Sequence, residues 1–175
     1  AALRQTDTGL AFFARHPEAW GVNLGCGLSQ YFQWLDNGRN TWLDTDMRPS
    51  MELRRRLLPP DTERQRSAII DLRRPQWWQD LNLPAQALGQ PLFMLCEGVL
   101  MYLQPQQVRH VLHSFAAQAP AGSRLVIDIL AGCAVGMAQW HASVGPTKAQ
   151  FHWGIRSLQE LTDCQSESTR LGLAF

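Results

Sequence analysis

A Gly-x-Gly turn is the feature of this chain best suited to ligand chemistry. Residues 21–28 have the sequence Gly-Val-Asn-Leu-Gly-Cys-Gly-Leu, so a short apolar run meets the turn at Gly25 and Gly27. Glycine permits a sharp bend, and it lets a ligand approach the backbone where a Cβ atom would collide. The helix expected over residues 29–35 would offer its unpaired N–H groups to polar ligand atoms. The alternative is an ordinary strand–turn–helix connection with structural glycines.

The residues that follow the turn indicate the kind of ligand. Asp44 and Asp46 come about twenty residues later, where a second strand is expected to end, and an acid there commonly binds ribose hydroxyls. The dinucleotide motif requires a third glycine, and Gln30 occupies that position, which disfavours a nicotinamide cofactor. A Gly-x-Gly turn followed by an acid after the next strand suits S-adenosylmethionine, which has no pyrophosphate. The sequence therefore predicts an S-adenosylmethionine site.

Strands and helices alternate along the chain, as such a site requires. Apolar runs predict one strand before the Gly-x-Gly turn and further strands over residues 41–44, 68–72, 91–96 and 124–130. Apolar spacing and stop signals predict helices over residues 8–15, 29–35, 49–58, 76–81 and 105–117. This alternation predicts an α/β fold with a mostly parallel, doubly wound sheet, in a single domain over residues 1–175.

Acidic residues follow the other expected strands as well. In a parallel sheet the carboxyl ends of the strands share one edge, where ligands bind. At that edge we expect Asp71 to accept the adenine amine beside the Leu72 N–H, and Glu97 to face the ammonium or sulfonium end of the cofactor. For Asp128 a structural role, such as a helix N-cap or a surface charge, is favoured.

Composition gives no indication of a nucleic-acid-binding, membrane-spanning, metal-binding or disulfide-rich protein. The net charge of +1 gives no reason to expect nucleic acid or an anionic membrane as partner, and the arginines at residues 54–56 are expected on a solvated helix face. No apolar stretch approaches the roughly 20 residues that span a bilayer, and no signal peptide is visible. The four cysteines lack metal-type spacing, so neither a metal site nor a disulfide framework is expected. A cytoplasmic protein of unknown oligomeric state is the simplest interpretation.

Several motifs of the chain match a known family. They are Val-Asn-Leu-Gly-Cys-Gly-Leu at residues 22–28, Asp-Thr-Asp at 44–46, Leu-Arg-Arg-Arg-Leu-Leu at 53–58, Ile-Asp-Leu at 70–72 with Trp78 downstream, and Glu-Gly-Val-Leu-Met-Tyr-Leu at 97–103. The last motif is the most specific. In these residues the chain resembles the leucine carboxyl methyltransferase family, and more closely its bacterial branch of polyketide O-methyltransferases of the tetracenomycin type.

The resemblance implies a class I methyltransferase fold that binds S-adenosylmethionine and methylates carboxyl or hydroxyl oxygens. By position, it implies that a set of residues binds the cofactor: Gly25 and Gly27 at the methionine portion, Asp46 at the ribose, Asp71 with Leu72 at the adenine, and Glu97 near the methionine moiety. Their neighbours Cys26 and Met47 are expected to bind the cofactor as well. Asp44 remains the alternative ribose ligand, because both acids fit the strand end.

The chain also departs from the family pattern. Relatives continue the turn as Gly-Leu-Asp-Thr-Arg, whereas this chain has Ser29, Gln30 and Tyr31 and so lacks an acid and a base there. The family arginine that holds the cofactor carboxylate would fall near Ala2, and Arg4 is only an approximate substitute. Relatives are longer, so the C-terminal part of the fold is expected to be short. These departures leave open a non-catalytic domain that serves as a cofactor-binding or interaction module.

The methyl acceptor is expected to be a small molecule, and a carboxylate is the favoured group because it needs no general base. Tyr102 and Met101 follow the fourth strand, where acceptors approach in this fold. Four histidines are base candidates by type only, with surface or core roles favoured for the first two: His110, His113, His141 and His152. Trp140 and Trp153 are equally compatible with an aromatic acceptor site and with the core.

Overall fold

Five parallel strands form one sheet in the computed structural model, which describes residues 2–137, 149–157 and 160. The strands are β1 (Trp20–Leu24), β2 (Thr41–Asp46), β3 (Gln65–Ile69), β4 (Phe93–Cys96) and β5 (Arg124–Ile127). Their order in the sheet is β3-β2-β1-β4-β5, and every pairing is parallel. The direction of winding therefore reverses between β1 and β4, and a crevice opens at the carboxyl ends of these two strands.

Helices connect the strands, as parallel pairing demands. They are α1 (Ala2–Arg15), α2 (Tyr31–Leu35), α3 (Arg48–Leu57), α4 (Trp77–Asp80), α5 (Ala85–Leu88) and α6 (Pro105–Gln118), with short 3₁₀ turns at Leu100–Tyr102 and Gly132–Ala134. Proline stands in the first turn of both α3 and α6, where its missing N–H costs no hydrogen bond. The expected doubly wound α/β sheet is confirmed.

The sheet separates two apolar clusters, because successive strand side chains point to opposite faces. On one face Met94 and Cys96 of β4 pack in a cluster that includes Val108 of α6. On the other face Phe93 of β4 packs in a cluster that includes Phe13 of α1. Because both faces are covered, β1 and β4 are buried along their whole length. The carboxyl edge of the sheet is left as the place for a ligand.

The third strand begins at Gln65, earlier than predicted. The apolar run over residues 68–72 predicted it, but β3 pairs with β2 over Gln65–Ile69. The polar side chains at its start are satisfied, because Gln65 Nε2 donates to Asp44 Oδ2 and Ser67 Oγ donates to Asp61 Oδ2. Hydrogen bonds rather than apolar side chains thus define the start of this edge strand. Asp71 consequently lies two residues beyond the strand end.

The ends of the other strands and helices also differ from the predictions. The second strand continues to Asp46 instead of ending at Asp44, the fifth strand ends at Ile127, and the first helix begins at Ala2. The second helix begins at Tyr31 rather than Ser29, because the Ser29 hydroxyl donates to the Cys26 carbonyl oxygen and extends the turn. The short helix α5 was not predicted.

In the part of the chain that the structure describes, no helix is long and apolar enough to cross a bilayer.

Gly21 provides a test of the packing between β1 and β2. A Cβ atom at this position would lie 2.0 Å from Cε3 of the fully buried Trp42 ring. We expect Gly21→Ala to lower the free energy of unfolding by roughly 1–3 kcal/mol, since the ring has no free space to enter. Urea unfolding would measure the loss. The matched control is Gly89→Ala, whose Cβ would meet no atom closer than 3.5 Å; equal stability of the two variants would contradict this packing.

Candidate functional site

The Gly-x-Gly turn lies at the carboxyl end of β1, beside the crevice. Gly25 has a φ of +71°, and a Cβ there would lie 2.2 Å from Val99 Cγ2. The N–H groups of Gly25 and Cys26 both donate to the Thr45 carbonyl oxygen, at 2.8 and 2.9 Å. Gly27 has a φ of +50°, and a Cβ there would have no neighbour within 4 Å. Gly25 is thus required for packing, whereas Gly27 faces open space into which a ligand can fit.

Asp46 lies at the rim of this turn. Its Oδ2 accepts a hydrogen bond of 2.8 Å from the Gly27 N–H, and its Oδ1 accepts one of 2.6 Å from the Met47 N–H. The side chain is half-buried, and Met47 beside it is exposed. The carboxylate is therefore oriented by two backbone donors and carries a negative charge at the open side of the turn.

Asp44, the other ribose candidate, is buried under the turn with 1% of its surface exposed. Its Oδ2 accepts hydrogen bonds from Arg54 Nη2 at 2.7 Å and from Gln65 Nε2 at 3.0 Å. Its Oδ1 accepts one of 2.9 Å from Trp42 Nε1. This environment argues against Asp44 as a ligand-binding group and leaves Asp46 as the ribose candidate. It also corrects one expectation, because Arg54 is buried rather than on a solvated face.

Glu97 follows β4, and two residues that the motif analysis did not select hold its carboxylate. The Tyr31 hydroxyl donates to Glu97 Oε2. With its amide oriented to satisfy both partners, Gln5 donates to Glu97 Oε2 at 3.0 Å and to the Tyr31 hydroxyl at 2.7 Å. Burial, followed by the nearby Glu97, raises the pKa of Tyr31 above its usual range, so the phenol stays a donor. Tyr31 stands where relatives have arginine, and that departure was the signal that could have identified it.

Asp128 follows β5 and adds a second acid next to Glu97. Its Oδ1 accepts a hydrogen bond of 2.9 Å from the Gly98 N–H. Burial raises the pKa of this carboxyl, and the negative charge of Glu97 raises it further. The structural role expected for Asp128 is present, because its carboxylate fixes the backbone that follows Glu97. Two carboxylates thus lie together at this end of the crevice.

Asp71 and Leu72 follow β3 at the far side of the site. Arg73 forms a bidentate ion pair with Asp71, with Nε 2.8 Å from Oδ1 and Nη2 2.7 Å from Oδ2. This pairing is the largest cause of a lowered pKa of the Asp71 carboxyl. Arg73 Nη2 also lies 3.5 Å from the Met47 sulfur, so the guanidinium spans the gap between the ends of β2 and β3. Leu72 is buried.

Cys26, the middle residue of the turn, is buried with its sulfur 3.8 Å from the sulfur of Met51. Burial is the main reason why the pKa of Cys26 rises to about 12, with Asp44 adding to the effect. A thiol in this state is neither a nucleophile nor a metal ligand at neutral pH. Its contribution to the site is the shape and backbone of the turn. Among the described residues, no group of three or more His, Cys, Asp or Glu side chains is arranged to hold a metal.

Tyr102 and Met101, the acceptor-side candidates, lie in the 3₁₀ turn after β4. The Met101 carbonyl oxygen accepts hydrogen bonds from the N–H groups of His152 at 2.8 Å and Trp153 at 3.2 Å. The Tyr102 ring is partly exposed and lies 5.5 Å from the ring of Phe151, centroid to centroid. Residues 151–153 therefore pack beside the residues that follow Glu97.

The aromatic and histidine candidates lie in different environments. Trp153 is buried in the apolar cluster of α6, which favours a core role, and Trp140 and His141 fall outside the described residues. The His110 ring nitrogen lies 2.8 Å from the Pro75 carbonyl oxygen, and His113 is exposed on the same helix. His152 lines a 660 Å³ cleft beside α6 whose described lining includes none of the predicted cofactor residues. That cleft is distinct from the site at the turn.

Comparisons with known proteins agree with this arrangement. Residues 6–116 match the model of the leucine carboxyl methyltransferase family. The chain is 29% identical over 166 residues to the tetracenomycin polyketide synthesis O-methyltransferase TcmP of Streptomyces glaucescens. That match covers 94% of this chain and 57% of TcmP. The chain thus spans little more than half the length of this relative.

Solved structures show the same fold. A Thermobifida fusca protein described as a methyltransferase superposes with a TM-score of 0.68 at 20% identity, over 94% of this chain and 64% of that one. Human N-acetylserotonin methyltransferase in complex with S-adenosylmethionine superposes with a TM-score of 0.59 at 12% identity, over 93% of this chain and 45% of that one. The sheet is that of class I methyltransferases. Because the family match covers well over half of its residues, the chain belongs to the leucine carboxyl methyltransferase family.

Proposed function

We propose that this chain binds S-adenosylmethionine and transfers its methyl group to an oxygen of a small-molecule acceptor. Family membership and the 29% identity to an O-methyltransferase of polyketide synthesis support this function. By the same likeness, we propose that the acceptor is a polyketide-like carboxylate. We further propose that residues 1–175 belong to a single methyltransferase domain.

One observation carries the cofactor assignment: three carboxylates at the crevice have only neutral partners among the side chains that the structure describes. Asp46 accepts from two backbone N–H groups, Asp128 from one, and Glu97 from an amide and a hydroxyl. No described Lys, Arg or His side chain forms an ion pair with any of them, although six ion pairs occur elsewhere in the described chain. Partly buried carboxylates with no cationic partner in the described part of the chain favour a cationic ligand. S-adenosylmethionine carries a sulfonium and an ammonium group.

The residues around the crevice fit the parts of this cofactor. The open space at Gly27 would admit the methionine portion, with Gly25 and Cys26 forming the backbone beneath it. Glu97 would face the ammonium group, and Asp46 would accept hydrogen bonds from the ribose hydroxyls.

The adenine would lie between the ends of β2 and β3. Asp71 would accept its exocyclic amine and the Leu72 N–H would meet a ring nitrogen, with Met47 against the base. Arg73 donates to both Asp71 oxygens, and a carboxylate has further lone pairs that could accept the exocyclic amine beside it.

The chain's contribution to catalysis is to orient the acceptor oxygen and to exclude water. The bound cofactor supplies an electrophilic methyl group whose leaving thioether needs no proton. A carboxylate acceptor is already ionised at neutral pH and needs no base, so positioning and desolvation are the tasks left to the protein. Met101 and Tyr102 lie in the 3₁₀ turn that follows Glu97, and we assign them to the acceptor side of the site.

Calorimetric titration with S-adenosylmethionine tests the cofactor assignment. The intact chain should bind it saturably. Glu97→Gln should weaken binding by roughly tenfold to a hundredfold, because a neutral amide no longer pairs with the ammonium group. The control is Glu63→Gln, an exposed glutamate outside the crevice, which should bind like the unaltered chain. Absence of binding by the unaltered chain, or equal affinity of both variants, would contradict the proposal.

The adenine assignment has its own test. The unaltered chain should prefer S-adenosylhomocysteine to its hypoxanthine analogue, which lacks the exocyclic amine, by roughly tenfold. Asp71→Asn should reduce this preference, since the amide is a weaker acceptor and loses the Arg73 ion pair. Asp61→Asn, which changes a carboxylate that bonds only to Ser67 among its described contacts, is the control. An unchanged preference in Asp71→Asn would exclude Asp71 from the adenine site.

A further inference from the structure

Arg54 differs from the two arginines that follow it on α3. Its side chain is buried, with 6% of the residue exposed, whereas Arg55 and Arg56 are exposed. It lies one helical turn after the fully buried Met51, so both point from α3 toward the underside of the Gly-x-Gly turn. Burying a guanidinium costs free energy unless its charge is paired and its N–H groups donate hydrogen bonds. Arg54 has an acidic partner and two carbonyl acceptors.

The Arg54 guanidinium bridges a buried acid and the turn. Nη2 donates to Asp44 Oδ2 at 2.7 Å. Nη1 donates to the carbonyl oxygens of Gly27 at 3.0 Å and Ser29 at 2.6 Å. The planar fork of arginine can serve the acid and the two carbonyls at once, which the compact ammonium of lysine cannot do.

Gly27 depends on these hydrogen bonds for its conformation. The first half of the turn is fixed by the Thr45 carbonyl oxygen and by Val99, but Gly27 has open space around it. Glycine can adopt many backbone conformations, so hydrogen bonds must select the one observed at Gly27, which has a φ of +50°. Arg54 holds the Gly27 carbonyl, and the Gly27 N–H donates to Asp46 Oδ2 at 2.8 Å.

We propose that Arg54 is a positioning residue for the ribose of the cofactor. It fixes Gly27, and the Gly27 N–H fixes the carboxylate of Asp46 in the orientation that receives the ribose hydroxyls. This inference rests on the proposed function, in which Asp46 is the ribose ligand. It assigns to α3 a role in cofactor recognition through a buried side chain.

The test compares two ligands that differ only at the ribose: S-adenosylhomocysteine and its 2′-deoxy analogue, titrated by calorimetry. The unaltered chain should prefer the ribose form by roughly tenfold or more, because the missing hydroxyl leaves the Asp46 carboxylate with an unmade hydrogen bond. Arg54→Lys keeps a cation near Asp44 but cannot hold both carbonyls, and its preference should fall to about threefold or less. Arg56→Lys, the same change at an exposed position of α3, should keep the full preference.

A merely structural role predicts a different pattern. If Arg54→Lys only destabilised the fold, the folded protein would bind both ligands with an unchanged ratio, and that result would overturn the proposal. If Arg54→Lys does not fold, the paired change Asp44→Asn with Arg54→Met removes both buried charges and must show the same loss of preference. Failure of the unaltered chain to bind either ligand would instead overturn the proposed function, which separates the two conclusions.

Discussion

The buried pair of Asp44 and Arg54 is the interaction on which the arrangement of the site depends. It joins β2 to α3, and through further hydrogen bonds it reaches Gln65 of β3 and the carbonyl oxygens of the Gly-x-Gly turn. Removing either partner would leave an unpaired charge in the interior, which typically costs about 3–5 kcal/mol. A turn rich in glycine has little intrinsic order. The ion pair beneath it therefore supplies the rigidity that a ligand-binding turn needs.

The acids at this edge of the sheet fall into two classes, and their partners distinguish them. Asp44 is neutralised by an arginine and buried, so it organises the protein. Asp46, Glu97 and Asp128 are oriented by neutral donors in the described part of the chain. Asp71 is intermediate, since its arginine partner is exposed and can move. Parallel strands bring these acids together because their carboxyl ends share one edge.

The sequence was sufficient to predict the sheet, the turn and the row of acids. Continuous apolar runs between helical segments indicate buried parallel strands, and acids directly after such runs must lie at one edge. The boundaries of β3 could not be predicted in the same way, because its first residues are polar and are held by side-chain hydrogen bonds, that of Gln65 reaching Asp44 on the neighbouring strand.

The supporting residues of the site were not identified from the sequence. Arg54 is one of three consecutive arginines, and composition alone cannot distinguish the buried one. The usable signal was its spacing of three from Met51, together with the need of Asp44 for a counter-ion. Gln5 and Tyr31 hold Glu97 from two different helices, so only the tertiary structure brings them together. Both hold the Glu97 carboxylate as neutral donors.

The most direct test of the cation site compares S-adenosylmethionine with 5′-methylthioadenosine, which has the same nucleoside but neither a sulfonium nor an ammonium group. If the carboxylates around Glu97 bind the cationic end of the cofactor, calorimetry at low ionic strength should show that S-adenosylmethionine binds at least about tenfold more tightly than 5′-methylthioadenosine. The difference should narrow as salt is added. Equal affinities for the two ligands would contradict the claim that these acids recognise the charged end of the cofactor.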